Sequence, residues 1–133
     1  MEIREYSQYN EEEMLRLYGA AGWTAYTDDP AALKAGLENS LLTLAAYEDG
    51  ALAGIVRAVG DGVTVVLIQD VLVFPEHRRK GVGAALINAL LERFPNVRQV
   101  ELMTDDTPET VAFYESLGFK RMSDIGCVGF VKI

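Results

Sequence analysis

The sequence predicts an α/β (α+β) domain built on a mixed sheet. Half of its 133 residues are apolar, which is enough to bury a core without disulfide or metal support. Segments with the apolar pattern of strands are interleaved with segments of helical periodicity, without the strict alternation of a parallel sheet. No repeat, linker or low-complexity tract interrupts the chain, so we expect residues 1–133 to form one domain.

Turn residues divide the chain into seven expected strands and four expected helices. Glu48-Asp49-Gly50 and Asp61-Gly62 indicate turns, and Pro75 ends the longest strand because proline cannot donate a ladder hydrogen bond. Asp29 and Thr107, each followed by proline, are typical of helix starts. The expected strands are residues 3–6, 41–47, 52–59, 63–73, 97–104, 119–122 and 127–132. The expected helices are residues 11–21, 29–39, 81–94 and 107–117.

Charge and composition exclude several functional classes. Twelve Lys+Arg against twenty Asp+Glu give a net charge of −8, which disfavours nucleic acid and anionic membranes as partners. No apolar stretch approaches the ~18–20 residues of a membrane span, and the amino terminus lacks the pattern of a secretory signal. One cysteine and one histidine exclude an internal disulfide and a His-rich metal site. We therefore expect a cytoplasmic protein, with Cys127 as a small core residue.

The most informative segment joins the longest strand to the helix that follows it. Its turn carries three cations, Arg78-Arg79-Lys80, and two glycines, Gly81 and Gly83. A helix N-terminus offers unpaired N–H groups and partial positive charge, and glycine lets phosphate oxygens approach the backbone. This pattern predicts a phosphate or pyrophosphate ligand. A basic turn that only caps a buried helix is the alternative.

Two other phosphate motifs can be tested against the same segment. A dinucleotide fingerprint needs a third glycine where this chain has Leu86. A nucleoside-triphosphate P-loop needs Gly-Lys-Ser/Thr, which is absent. Both motifs are therefore excluded.

Two motifs resemble those of the GNAT family of N-acetyltransferases. Arg78-Arg79-Lys80-Gly81-Val82-Gly83 matches the Q/R-x-x-G-x-G/A pyrophosphate loop of that family at every defined position. Ala112-Phe113-Tyr114-Glu115-Ser116-Leu117-Gly118-Phe119 resembles its A-x-x-Y-x-x-x-G-F block. The resemblance implies a small bacterial-type, single-domain member. Its mixed, mostly antiparallel central sheet would have about six or seven strands and about four flanking helices, and would splay between the fourth and fifth strands.

The resemblance also implies acetyl-CoA as the cofactor. Backbone groups of the long strand would pair with the pantetheine arm, and amides at the start of the following helix would hold the pyrophosphate. Thr107 stands where many relatives have an asparagine that contacts the cofactor arm, so the chain departs from the family pattern at this position. The expected cofactor-binding residues are Val71, Leu72, Val73, Arg78, Arg79, Lys80, Gly81, Val82, Gly83, Ala84, Thr107 and Tyr114.

Two residues are candidates for catalysis. In the family, a tyrosine at the place of Tyr114 often protonates the departing thiolate; the alternative is a packed aromatic residue. Asp70 lies inside an apolar strand, where a carboxylate is costly unless it is hydrogen-bonded or functional. It could take a proton from the acceptor ammonium. The alternative is a structural aspartate bonded to backbone at an irregular strand end.

The acceptor region is predicted from the connection between the first two helices. Trp23 and Tyr26 could form an aromatic wall, Asp28 could attract a cation, and Gln69 could add a polar contact. The acidic first half of the chain favours a cationic acceptor, so we expect a small-molecule primary amine acetylated by direct attack in a ternary complex. A non-catalytic acyl-CoA-binding sensor and a generic interaction module are the alternatives. Small members of the family often pair, so a homodimer is expected.

Overall fold

A computed structural model describes all residues, 1–133, and divides them into two compact units, Met1–Leu102 and Met103–Ile133. The first unit contains one five-stranded sheet, with strands β1 (Glu2–Glu5), β2 (Leu42–Glu48), β3 (Ala51–Gly60), β4 (Val65–Val73) and β5 (Gln99–Leu102). The strands lie in chain order across the sheet. All neighbours are antiparallel except β4 and β5, which are parallel. The mixed, mostly antiparallel sheet confirms the predicted fold class, with fewer strands than predicted. The one-domain organisation stays a prediction.

The first unit contains four α-helices and the second contains one, and two of the helix starts were predicted from their capping residues. The helices are α1 (Glu11–Ala20), α2 (Thr24–Thr27), α3 (Pro30–Glu38), α4 (Val82–Arg93) and α5 (Pro108–Ser116). The Asp29 side chain accepts from the Ala32 N–H at 3.1 Å, and the Thr107 hydroxyl accepts from the Thr110 N–H at 3.2 Å. Both predicted caps are therefore confirmed. The short helix α2 lies in what the sequence indicated only as a connection.

The core of the first unit is built from helix faces that cover the sheet. α4 packs against β2, β3 and β4 and buries its apolar face, as its pattern predicted. A separate cluster joins α1 and α3 to β3 and β4 through Met14, Leu17, Leu33, Ile55 and Leu72, all of them buried. No helix is long and apolar enough to cross a lipid bilayer.

Two tight turns fix the register of the central strands. Asp49 and Gly50 both have positive φ, 50° and 82°, as the hairpin turn between β2 and β3 requires. Asp61 Oδ1 accepts from three consecutive amides, those of Val63, Thr64 and Val65, at 2.7–3.0 Å. The Thr64 hydroxyl and these amides hold the pKa of Asp61 well below its usual range. Both predicted turns are confirmed.

β5 pairs with β4 along its whole length, but only with the start of β4, in line with the predicted splay. The parallel pairing runs from Val65 opposite Gln99 to Ile68 opposite Leu102. β4 then continues to Val73 with no strand on that side. A bulge marks the point of separation, because Arg57 pairs with Asp70 while Ala58 pairs with Ile68, which leaves Gln69 without a partner in β3.

The predicted closing strands are wrong. In the second unit, α5 is followed by a 3-10 turn at Met122–Ile125, and neither residues 119–122 nor residues 127–132 form a strand. A strand needs a neighbour to pair its backbone groups, and β propensity does not supply one. Gly126, with φ of 79°, ends the 3-10 turn, and Cys127 is exposed rather than in the core.

Candidate active site

The second half of β4 presents a free backbone edge. The Phe74 N–H donates to the Ala53 carbonyl at 2.8 Å, which directs the backbone groups of Phe74 toward β3. Because successive residues of a strand direct these groups to opposite edges, those of Val71 and Val73 point away from β3. Leu72 directs its groups toward β3, and its side chain is buried in the core. An extended amide-bearing ligand could therefore pair with Val71 and Val73.

The basic loop begins beside this edge. Arg78 folds back, and its Nε donates to the Val73 carbonyl at 3.2 Å. Arg79, with φ of 63°, and Gly81, with φ of 79°, both adopt the left-handed conformation. That conformation suits glycine but is unfavourable for arginine. The loop therefore holds a strained backbone together with three exposed cations, Arg78, Arg79 and Lys80, none of which forms a salt bridge.

The helix that follows the basic loop starts without a side-chain cap. Helices α1, α3 and α5 each have a capping side chain, whereas Gly81 at the start of α4 offers none. The first intrahelical bond runs from the Ala85 N–H to the Gly81 carbonyl at 3.0 Å, so the amides of Val82, Gly83 and Ala84 lack helical partners. The His77 Nδ1 atom, four residues before Gly81, is also buried without a partner. The three free amides and the nearby cations fit a diphosphate.

Asp70 lies in a buried network of hydrogen bonds. Its Oδ2 atom accepts from Arg57 Nε at 2.6 Å and from Tyr18 Oη at 2.7 Å. Arg57 Nη1 in turn donates to Ser40 Oγ at 3.2 Å. Asp70 is 2% exposed and Arg57 is 7% exposed, so the ion pair is shielded from water. The partners of Asp70 are thus side chains, and not the backbone groups that a purely structural interpretation had suggested.

Electrostatics favour the neutral phenol and the charged guanidinium in this network. Burial, and then the neighbouring Asp70 carboxylate, raise the pKa of Tyr18 far above its usual range. Burial acts to lower the pKa of Arg57, but the hydrogen bond and charge of Asp70 outweigh it and raise that pKa. Asp70 Oδ1 accepts none of the hydrogen bonds made by side chains. Its catalytic role stays a prediction.

The predicted aromatic wall includes a third ring. Tyr18, Trp23 and Tyr26 form a triangle with ring centroids 5.0–6.0 Å apart. Trp23 is 37% exposed, whereas Tyr18 is fully buried and is bonded to Asp70. The wall is therefore anchored to β4 through Tyr18. Asp28, at the end of α2, is exposed, and Gln69 is exposed at the bulge.

Tyr114 lies on α5 in the second unit. Its ring makes edge-on contacts with Phe113, at 5.0 Å between centroids, and with Phe119, at 5.9 Å. Burial raises the pKa of Tyr114, with partial opposition from the Thr104 hydroxyl. The phenol therefore keeps its proton at neutral pH. Thr107, also in this unit, uses its hydroxyl as the α5 cap.

The predicted site residues thus fall into two sets. The cofactor edge, the basic loop and the aromatic wall belong to the first unit, together with Asp70 and Gln69. Tyr114 and Thr107 belong to the second. Sequence reasoning missed Tyr18, Arg57 and Ser40. One signal was available for Arg57, because it is the only charged residue in an otherwise apolar strand.

Sequence comparison identifies the family. The chain matches the "Acetyltransferase (GNAT) domain" family over residues 5–132. It is 36% identical over 110 residues to a mycothiol acetyltransferase of Kineococcus radiotolerans, an alignment that covers 80% of this chain and 36% of that protein. It is 28% identical over 119 residues to an uncharacterized N-acetyltransferase of Pyropia yezoensis, covering 84% of this chain and 66% of that protein. The chain thus spans about a third to two thirds of the length of these curated relatives.

Structural comparison agrees with the sequence. A GNAT-family acetyltransferase of Streptococcus pneumoniae superimposes with a TM-score of 0.89 and 36% identity, covering 99% of this chain and 96% of that one. An aminoglycoside 6'-N-acetyltransferase in complex with coenzyme A gives a TM-score of 0.69 at 22% identity, covering 89% and 84%, and shows a shared fold alone. This chain belongs to the GNAT acetyltransferase family.

Proposed function

We propose that this protein is an acetyl-CoA-dependent N-acetyltransferase that acetylates a primary amine of a small, cationic acceptor. One observation carries the proposal: the uncapped start of α4 follows three exposed, unpaired cations and lies just beyond the free edge of β4. Anion-binding donors and a free strand edge are the two features that a nucleotide joined to an amide-bearing arm requires. Family membership supports the same activity.

The residues present fit the cofactor. Val71 and Val73 would pair with the amides of the pantetheine arm. The amides of Val82, Gly83 and Ala84 would hold the pyrophosphate, with Arg78, Arg79 and Lys80 as counterions. When bound, acetyl-CoA supplies an acetyl group activated as a thioester. Leu72 would act only by packing the strand, and the Thr107 contact stays a prediction.

Tyr114 would act as the general acid. Direct attack forms a C–N bond and breaks the C–S bond, so the sulfur gains a proton while the nitrogen loses one. A phenol with a raised pKa stays protonated at neutral pH and can give its proton to the sulfur. The proton from nitrogen would pass to water or to Asp70. Because Arg57 and Tyr18 occupy Oδ2, Asp70 would accept it through Oδ1.

The acceptor would lie against the aromatic wall. Trp23 offers a partly exposed ring face to a cation, Tyr26 packs beside it, and Asp28 adds a negative charge. Gln69 could bond a polar group of the acceptor from the bulge. Homodimer formation and a cytoplasmic location stay predictions.

A non-catalytic acyl-CoA sensor is the second candidate, because it needs only the basic loop and the strand edge. Acetyl transfer to a panel of small amines separates the two. For Tyr114→Phe we expect kcat to fall about 100-fold while acetyl-CoA affinity stays unchanged. Tyr47→Phe, which removes a phenol on β2, is the matched control and should keep full activity. Binding without turnover on any amine would favour the sensor.

A further inference from the structure

Residues 127–132, called the closing segment below, are exposed along their whole length. The side chains of Val128, Phe130 and Val131 are 72%, 91% and 72% exposed. The Cys127 N–H donates to the Met122 carbonyl at 2.8 Å, but residues 128–132 make no backbone hydrogen bond. A cluster of large apolar side chains in water is typical of an interaction surface.

The closing segment has the composition of a β-strand. Valine and phenylalanine favour strands, and no proline follows Pro108, so every amide of the segment can donate to a neighbour. In an extended conformation, Val128 and Phe130 would lie on one face and Val131 on the other. The segment therefore has what a strand requires except a neighbouring strand.

The sheet ends at β5, whose outer edge has no neighbouring strand. Because β5 pairs only with β4, its backbone groups that point away from β4 have no strand to bond. Proteins commonly protect such an edge with charged residues or proline. β1, the opposite edge strand, has charged residues at three of its four positions, whereas β5 has only Glu101 and no proline. The outer edge of β5 is therefore open to another strand.

We propose that the closing segment pairs with the outer edge of β5 in a second copy of this chain. Each copy supplies one strand without a neighbour and one edge without a strand, so a two-fold exchange satisfies both and closes the assembly. The only charged residue of the segment is Lys132 and that of β5 is Glu101, so the pairing brings no like charges together. The proposal gives the expected homodimer a defined interface and does not depend on acetyl transfer.

Sedimentation velocity of the full chain at micromolar concentration, without acetyl-CoA, tests the exchange. We expect the wild type to sediment as a dimer. Val128→Asp places a charge in the exchanged strand and should weaken the dimer about tenfold or more. Val63→Asp is the matched control, because Val63 is 71% exposed and lies in the turn between β3 and β4. It should leave the dimer unchanged.

Hydrogen exchange of the same proteins locates the pairing. In the wild type, the amides of residues 128–132 and those of β5 that point away from β4 should be protected, and Val128→Asp should remove both protections. The amides of β1 should exchange equally in the two proteins. Val128→Asp should keep the wild-type circular dichroism spectrum of the helices, because Val128 is exposed in the single chain.

Four results would overturn the proposal. They are a monomeric wild type, an unchanged dimer in Val128→Asp, an equal weakening by Val63→Asp, and protection of the closing segment without protection of β5. The last result would place the segment against another surface of the second copy. A monomeric wild type with a protected segment would mean that the segment pairs within its own chain.

Discussion

Two charged regions of this protein lie at opposite ends of the free edge of β4. The charges of one region are buried and paired, whereas those of the other are exposed and unpaired. In the buried network of Tyr18, Arg57 and Asp70, the two charges are paired with each other and shielded from water. In the basic loop of residues 78–81, three cations are exposed and unpaired. Charges paired inside the fold hold the structure, and we propose that the unpaired charges on strained backbone are placed for a ligand.

The backbone shows the same contrast. Asp70 and Arg57 pair beside the β-bulge at Gln69, but neither has a positive φ, so the ion pair needs no left-handed backbone. Arg79 has positive φ and gains no salt bridge from it. Substitutions in the buried network should therefore change stability first. Substitutions in the basic loop should change cofactor affinity first.

The largest effect is expected for Asp70→Ala. It leaves the Arg57 guanidinium buried without a counterion, and we expect the free energy of unfolding to fall by about 3–5 kcal/mol. Urea denaturation measures this change. Glu76→Ala, next to the basic loop and exposed, is the control and should change stability by less than about 0.5 kcal/mol. If Asp70→Ala and Glu76→Ala lowered the free energy of unfolding by equally small amounts, the buried ion pair would not stabilise the fold.

A smaller effect is expected for Tyr18→Phe. The substitution keeps the ring that contacts Trp23 and Tyr26 but removes the hydrogen bond to Asp70. A hydrogen bond to a charged group contributes about 1.5–3 kcal/mol, and we expect the free energy of unfolding to fall by that amount. Tyr47→Phe serves as the control. A wild-type free energy of unfolding for Tyr18→Phe would show that the phenol does not help to hold Asp70.

The same tyrosine should shape the alkaline limit of stability. Folding raises the pKa of Tyr18, so the neutral phenol stabilises the folded protein fully below the pKa of unfolded tyrosine, about 10. This stabilisation is lost as the pH rises above that value. Burial also raises the pKa of Tyr6, to about 12, so the folded protein loses further stability between about pH 10 and about pH 12. Urea titrations at increasing pH should show a shallower alkaline decline for Tyr18→Phe than for the wild type.

The smallest effect is expected for Arg79→Gly, and its two parts have opposite signs. Glycine accepts positive φ without strain, so the free energy of unfolding should rise by about 1 kcal/mol. Removal of the cation should weaken acetyl-CoA binding several-fold, and more so at low salt, where exposed charges are least screened. Thermal melts and titrations at two salt concentrations measure both parts. If Arg79→Gly lowered both the free energy of unfolding and the acetyl-CoA affinity, the basic loop would stabilise the fold just as the buried network does.

Most elements of the fold could be predicted from local signals. Asp29 and Thr107 marked two helix starts, and Asp49-Gly50 and Asp61-Gly62 marked two turns, because each of these features is set by its own neighbours. The prediction of closing strands at 119–122 and 127–132 was wrong, because strand formation depends on a distant partner that a local pattern does not show.

The candidate site could be predicted only in part for a related reason. Asp70 was found because a lone carboxylate in an apolar strand needs a partner. Counting back from the β3–β4 turn through Ala58 and Ile68 would pair Arg57 with Gln69, but the bulge shifts the register by one and brings Arg57 opposite Asp70. Tyr18 reaches the same carboxylate from α1, across 52 positions of sequence, which no local pattern indicates.

The central claim is that the basic loop and the start of α4 bind acetyl-CoA. Calorimetric titration of the purified protein with acetyl-CoA tests it most directly, with NADH and ATP as controls for general nucleotide binding. We expect selective binding of acetyl-CoA in the micromolar range, about −8 kcal/mol, and stabilisation against heat. Absence of both heat and thermal stabilisation would contradict it, and the basic loop would then serve only to begin a buried helix.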